Sequence, residues 1–137
     1  MVAAIEHLIE RYPAAPASVA LARNDVARFA ASARASREQL ESIRVAVSEA
    51  VTNAIAHGYR DGDGEIELTA TVTQGDLRVW VRDRGCGFQT PAEKPGLGWG
   101  LPLIAHTSDE FVIAEPPGGG TEVRMRFLIA EGSAEGS

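Results

Sequence analysis

Cysteine is almost missing from this chain. Cys86 is the only one in 137 residues, and a single thiol cannot close an internal disulfide or build a cysteine-rich zinc site, which fits a reducing compartment. Basic residues are outnumbered as well: 13 Lys and Arg stand against 19 Asp and Glu, for a formal net charge of −6. The broad positive field that would neutralise nucleic-acid phosphates or an anionic membrane is therefore lacking, and a direct DNA-binding role is not expected. No run approaches the roughly 18 to 20 uninterrupted apolar residues of a membrane span. Met1 to Glu10 includes Glu6 and Glu10 and has no basic n-region, long apolar run or small-residue cleavage site. A soluble, cytoplasmic protein is the expectation. What is present is 45% hydrophobic and 23% charged residues, enough for one compact domain over residues 1–130, followed by a Gly-, Ser- and Glu-rich tail over 131–137 that should fray.

Proline and glycine divide the chain into elements. Ala17 to Ala33 and Arg37 to His57 contain neither, are rich in Ala, Leu, Arg and Glu, and read as two helices. Ile66, Leu68, Ala70 and Val72 alternate with Glu67, Thr69 and Thr71, and Leu77, Val79 and Val81 alternate with Arg78, Trp80 and Arg82. With Gln74-Gly75-Asp76 between them, the two runs predict an antiparallel hairpin. Leu101 to Thr107 reads as a short helix, Phe111 to Ala114 as a strand, and Val123, Met125, Phe127 and Ile129 as the inward side of a last strand. Ala3 to Tyr12 is a candidate edge strand. Helices and strands segregate, which points to an α+β two-layer sandwich, a mixed or antiparallel sheet with helices on one face, and not to a repeated βαβ pattern.

The second helix carries polar groups in register. Glu49, Asn53 and His57 stand four residues apart, so they form one stripe along the border of an apolar face made by Ile43, Val47, Ala50, Val51 and Ala54. A carboxylate one turn before a carboxamide offers a proton acceptor and a neutral oxygen ligand, a set suited to Mg²⁺ and to activating a hydroxyl. A solvated helix edge would show the same spacing, so the helix alone does not decide.

Three glycine-rich stretches add to it. Asp83-Arg84-Gly85-Cys86-Gly87 follows the second hairpin strand, where glycines leave the backbone open to a flat ring and an aspartate can accept a hydrogen bond from an exocyclic amine. Gly96-Leu97-Gly98-Trp99-Gly100-Leu101 opens the short helix, where free N–H groups favour an anion such as phosphate. Gly118-Gly119-Gly120-Thr121 precedes the last strand. None of these is a dinucleotide-binding fingerprint or a Walker A loop, and each taken singly is equally well a plain turn or loop.

Their order and spacing, however, resemble the GHKL (Bergerat-fold) ATPases. Ser48-Glu49-Ala50-Val51-Thr52-Asn53-Ala54-Ile55-Ala56-His57-Gly58-Tyr59 is similar to the N box in the form found in anti-sigma serine kinases. Val81 to Phe88 resembles the G1 box, Gly96 to Leu101 the G2 box, and Gly119 to Phe127 the G3 region. The resemblance covers roughly Ala17 to Phe127 and implies ATP and Mg²⁺ as cofactors. It implies Asn53 as the Mg²⁺ ligand, Glu49 as general base, Asp83 on the adenine amino group with Thr121 in support, and Gly85 and Gly87 beneath the base. Gly96, Gly98, Gly100 and Leu101 would shape the phosphate loop. Lys94, in the place of the ATP lid, and His57, at the helix end, are further candidates, each with an ordinary structural reading beside it.

For function the resemblance implies a protein serine/threonine kinase that binds a sigma factor and phosphorylates a STAS-type anti-sigma antagonist, as a homodimer. Within 137 residues there is no room for a phosphoacceptor hairpin or a transducer domain, which favours this over a histidine-kinase-like ATPase domain. The rival is a nucleotide-gated protein-binding module without phosphotransfer; the presence of Glu49 argues against it, because a pure binder needs no base.

Overall fold

The computed structural model describes residues 6–58, 64–83, 107–114 and 120–129, with the side chains of residues 57 and 58 outside that description. Strand β1 spans Glu6–Pro13, helix α1 Ala17–Ser32, helix α2 Arg37–Gly58, β2 Glu65–Thr73, β3 Asp76–Asp83, β4 Glu110–Ala114 and β5 Thr121–Leu128.

Helix α1 begins directly after Pro13 and Pro16, where the Ser18 hydroxyl donates to the Pro13 carbonyl at 2.6 Å. Its buried residues are small or β-branched, Ser18, Ala22, Val26, Ala27 and Ala30; four of these recur at intervals of four and let the helix lie close to its neighbours. Helix α2 is started by a reciprocal capping pair. The Gln39 amide donates to Ser36 Oγ at 3.0 Å and the Ser36 amide donates to Gln39 Oε1 at 2.7 Å. Ile43, Ala46, Val47, Ala50, Val51 and Ala54 then recur at three- and four-residue intervals and are buried, so α2 is the central helix of the core.

The five strands form one sheet in the order β1-β2-β3-β5-β4, and every pairing is antiparallel. The hairpin joining β2 and β3 closes through Gln74 and Gly75 with φ of 51° and 78°. Two consecutive left-handed residues give the turn whose twist matches the strands it joins. Alternation is carried out strictly: Ile66, Leu68, Ala70, Leu77, Val79, Val81, Val123, Met125 and Phe127 all point to the helices and are buried. Each large side chain buried this way contributes about 1.5–3 kcal/mol. At the edge, the Tyr12 hydroxyl of β1 donates to Asp25 Oδ2 of α1 at 2.6 Å, tying strand to helix.

The α+β two-layer sandwich read from the sequence is the observed architecture, with an entirely antiparallel sheet among the described strands. Both helices fall within a residue of their expected ends. The edge strand begins at Glu6 and runs to Pro13, and residues 3–5 lie outside the described residues, as do 101–106 of the expected short helix and the 131–137 tail.

Candidate functional site between the helix layer and one end of the sheet

Only four polar side chains are buried among the described residues: Ser18, Asn53, Asp83 and Thr121. Ser18 is engaged at the start of α1. Asp83 and Thr121 stand at one end of the sheet, and Asn53 lies toward the C-terminal end of α2. Asp83 closes β3 on the inward side, in line with Val79 and Val81, and Thr121 opens β5 on the same side, in line with Val123 and Met125. The register sets Asp83 directly opposite Thr121, and the two are 3% and 6% exposed. Just before Thr121, Gly120 is buried with φ of 84°, a conformation that a side chain would penalise and that lets the backbone turn into β5 beneath the interlayer.

The position of Asn53 follows from how α2 is pinned. Gln39 Nε2 donates to the Leu128 carbonyl at 3.1 Å, which fastens the first turn of α2 to the far end of β5. From Gln39 to Asn53 the helix climbs about 21 Å at about 1.5 Å per residue. From Leu128 back to Thr121 the strand covers about 23 Å at about 3.3 Å per residue. The two lengths match, so a helix running along β5 from that pin carries Asn53 toward the end of the sheet that holds Thr121 and Asp83; Asn53 is 8% exposed.

Sequence spacing put Asn53 on the border of the apolar face, whereas the fold buries it among Ala50, Val51 and Ala54. Its Nδ2 is buried and, among the described residues, has no hydrogen-bond partner. A buried amide donor left without a partner costs about 1–3 kcal/mol, so Asn53 is a candidate for a hydrogen bond beyond the described residues. Rotating the carboxamide exchanges its two ends, so the same group can present oxygen to a cation or N–H to a phosphate oxygen. Glu49, one turn earlier on the same side of α2, is half-buried, accessible to a reacting group and still sheltered enough to be held in place.

His57 lies in the last turn of α2, and its side chain is outside the description. Gly85, Gly87, Lys94, Gly96, Gly98, Gly100 and Leu101 all lie outside the described residues, so the described part of the site is the floor formed by α2, β3 and β5. Among the described residues no three His, Cys, Asp or Glu side chains cluster as a metal site. No helix of the described residues is long and apolar enough to cross a membrane.

The arrangement has known counterparts. The family model for the histidine kinase-like ATPase domain matches residues 12–127. The chain belongs to that family, the GHKL ATPases. Its relatives include the anti-sigma F factor of Thermoanaerobacter sp. (strain X514), 36% identical over 119 residues that cover 79% of this chain and 83% of that protein. The anti-sigma F factor of Geobacillus kaustophilus (strain HTA426) is 33% identical over 125 residues, covering 82% of this chain and 86% of that one. A crystal structure of the RsbU and RsbW domains of a Mycobacterium tuberculosis protein superposes with a TM-score of 0.72 at 25% identity, covering 90% of this chain and 32% of that longer one. These matches put the chain with the anti-sigma kinase branch of the GHKL family, and the matched range spans every box named above. ATP binding is what the family's domain implies.

Proposed function

We propose that this GHKL domain is an ATP-dependent protein serine/threonine kinase of the anti-sigma type, which binds a sigma factor and phosphorylates a serine of a STAS-type antagonist. The observation that carries the reading is the buried amide of Asn53, which has no partner for its Nδ2 among the described residues, one helical turn from the half-buried carboxylate of Glu49. A ligand oxygen completes the first, and a substrate hydroxyl has access to the second.

In this reading Asp83 accepts a hydrogen bond from the adenine amino group, and Thr121, opposite it, supports that contact. Asn53 holds Mg²⁺, which supplies charge neutralisation on the phosphates when bound. Glu49 takes the proton of the substrate serine as its oxygen bonds to the γ-phosphorus and the bond to ADP oxygen breaks; the proton then passes to solvent. Gly85 and Gly87 admit the base, and Gly96, Gly98, Gly100 and Leu101 line the phosphates, with Lys94 and His57 at the margin. The kinase works in the cytoplasm as a homodimer.

The test is incubation of the chain with labelled ATP, Mg²⁺ and a panel of STAS proteins including one encoded beside its own gene. Acid-stable phosphoserine on a STAS protein supports the proposal. Acid-labile phosphohistidine would point to a histidine-kinase-like activity. Tight ATP binding with no transfer to that genetic neighbour would favour a nucleotide-gated binding module.

A further inference from the structure

One carboxamide at the start of α2 makes two bonds of different kinds. Gln39 Oε1 accepts the Ser36 amide at 2.7 Å, which caps the helix. Gln39 Nε2 donates to the Leu128 carbonyl at 3.1 Å, which ties the helix to β5. We propose that Gln39 is a positioning residue: its bond to β5 fixes where α2 lies along the sheet, and so where Asn53 and Glu49 stand relative to Asp83 and Thr121, an inference that rests on the nucleotide site and kinase reading above.

Packing alone specifies that position weakly. The buried face of α2 is Ile43, Ala46, Val47, Ala50, Val51 and Ala54, half of it alanine, and it packs on β3 and β5. Apolar burial is non-directional, and short side chains raise only shallow ridges against sliding. A hydrogen bond has a preferred length and angle, so it selects one position along the axis. Its anchor is itself held. The peptide group that offers the Leu128 carbonyl also donates the Ile129 amide to the Gly75 carbonyl at 2.8 Å. On the other side, the Leu128 amide donates to Asp109 Oδ2 at 2.7 Å.

A slip of α2 by one residue's rise is about 1.5 Å. Asn53 and Glu49 move with the helix, while Asp83 and Thr121 belong to the sheet and keep their register. In the proposed site the residues for the phosphate end and for the adenine end of one nucleotide then no longer match. A misplacement of about 1 Å costs up to about 100-fold in rate.

Glutamine serves both bonds, whereas glutamate can accept the Ser36 amide but cannot donate to the carbonyl, and lysine can donate but cannot accept. Gln39→Glu and Gln39→Lys in the full chain therefore separate capping from positioning. For each, calorimetry gives the affinity for MgATP, NMR titration the affinity for adenosine, and circular dichroism the melting temperature, with single-turnover transfer to a STAS substrate alongside. Gln39→Glu keeps the cap and adds a carboxylate to the first turn, so it should melt at or above wild type. It should also bind MgATP about tenfold more weakly, bind adenosine within about twofold of wild type, and transfer phosphate at least about tenfold more slowly. Gln39→Lys loses the cap and places a cation at the helix start, so it should melt lower yet keep MgATP affinity within about threefold. A merely structural Gln39 would make melting temperature and affinity fall together.

An unchanged ratio of MgATP to adenosine affinity in Gln39→Glu overturns the proposal, as does an equal loss of that ratio in Gln39→Lys or a Gln39→Glu chain that fails to fold. A wild type that binds MgATP but transfers no phosphate sinks the kinase reading alone, and the affinity ratio still supports or overturns the positioning role. A wild type that binds no MgATP overturns both.

Discussion

Asp83 and Thr121 face each other across β3 and β5, and both are buried at the end of an otherwise apolar layer. In the proposed site the carboxylate accepts a hydrogen bond from the adenine amino group and the hydroxyl supports that contact.

Removing Asp83 should therefore cost more than removing Thr121. A hydrogen bond to a charged group is worth about 1.5–3 kcal/mol and a neutral one about 0.5–1.5. Asp83→Ala is expected to weaken ATP binding by about 10- to 100-fold, and Thr121→Ala by less than about tenfold, in calorimetric titrations. Equal losses would show that the two residues do not have these separate roles.

Asn53 predicts an opposition between stability and binding. Its Nδ2 is buried and lacks a partner among the described residues, and in the proposed site the nucleotide would relieve that desolvation cost. Asn53→Ala should keep or raise the melting temperature of the nucleotide-free chain while losing most ATP affinity. A large fall in melting temperature without nucleotide would mean the amide is already satisfied.

The Tyr12–Asp25 contact sets an alkaline limit. Burial first, then the hydrogen bond to Asp25, pushes the Tyr12 hydroxyl far above its ordinary value of 10.0. The folded state thus keeps a proton that the unfolded chain gives up above about pH 10. Its stabilisation is fully present below that pH and is lost as pH rises further. Tyr12→Phe should cost about 1 kcal/mol at neutral pH and flatten the decline in stability between pH 9 and 11, measured by urea unfolding.

Ser36 and Gln39 predict a simpler loss. Ser36→Ala removes the side-chain half of the capping pair and should lower stability by about 1 kcal/mol without changing ATP affinity.

Much of this fold is legible in the sequence because its signals are local. Ile66 to Val72 and Leu77 to Val81 alternate without a break, and Gln74-Gly75 can occupy the left-handed region that their hairpin requires. The two helices lack internal breakers until Gly58. Other features depend on partners distant in sequence. Placing β5 between β3 and β4 is what brings Thr121 opposite Asp83, and no local pattern records that register. Burial of Asn53 likewise follows from the depth at which α2 sits on the sheet, since helical spacing alone assigns it to an edge. In β1, Glu6 and Glu10 fall on the inward side of an edge strand, which breaks the alternation and blurs its start. The spacing of the N box and the glycine boxes singles out Asn53, Asp83 and Thr121; that Thr121 stands opposite Asp83 is a property of the antiparallel sheet.

In the proposed reaction Glu49 acts on the phosphate acceptor and not on the nucleotide. Single-turnover phosphotransfer from ATP to the STAS substrate, measured beside ATP affinity for wild type and Glu49→Gln, tests this most directly. For Glu49→Gln the expected result is an affinity within about threefold of wild type and a transfer rate reduced about 10²- to 10⁴-fold, the range for loss of a general base. Transfer at the wild-type rate in Glu49→Gln, or loss of ATP binding in step with loss of transfer, would contradict it.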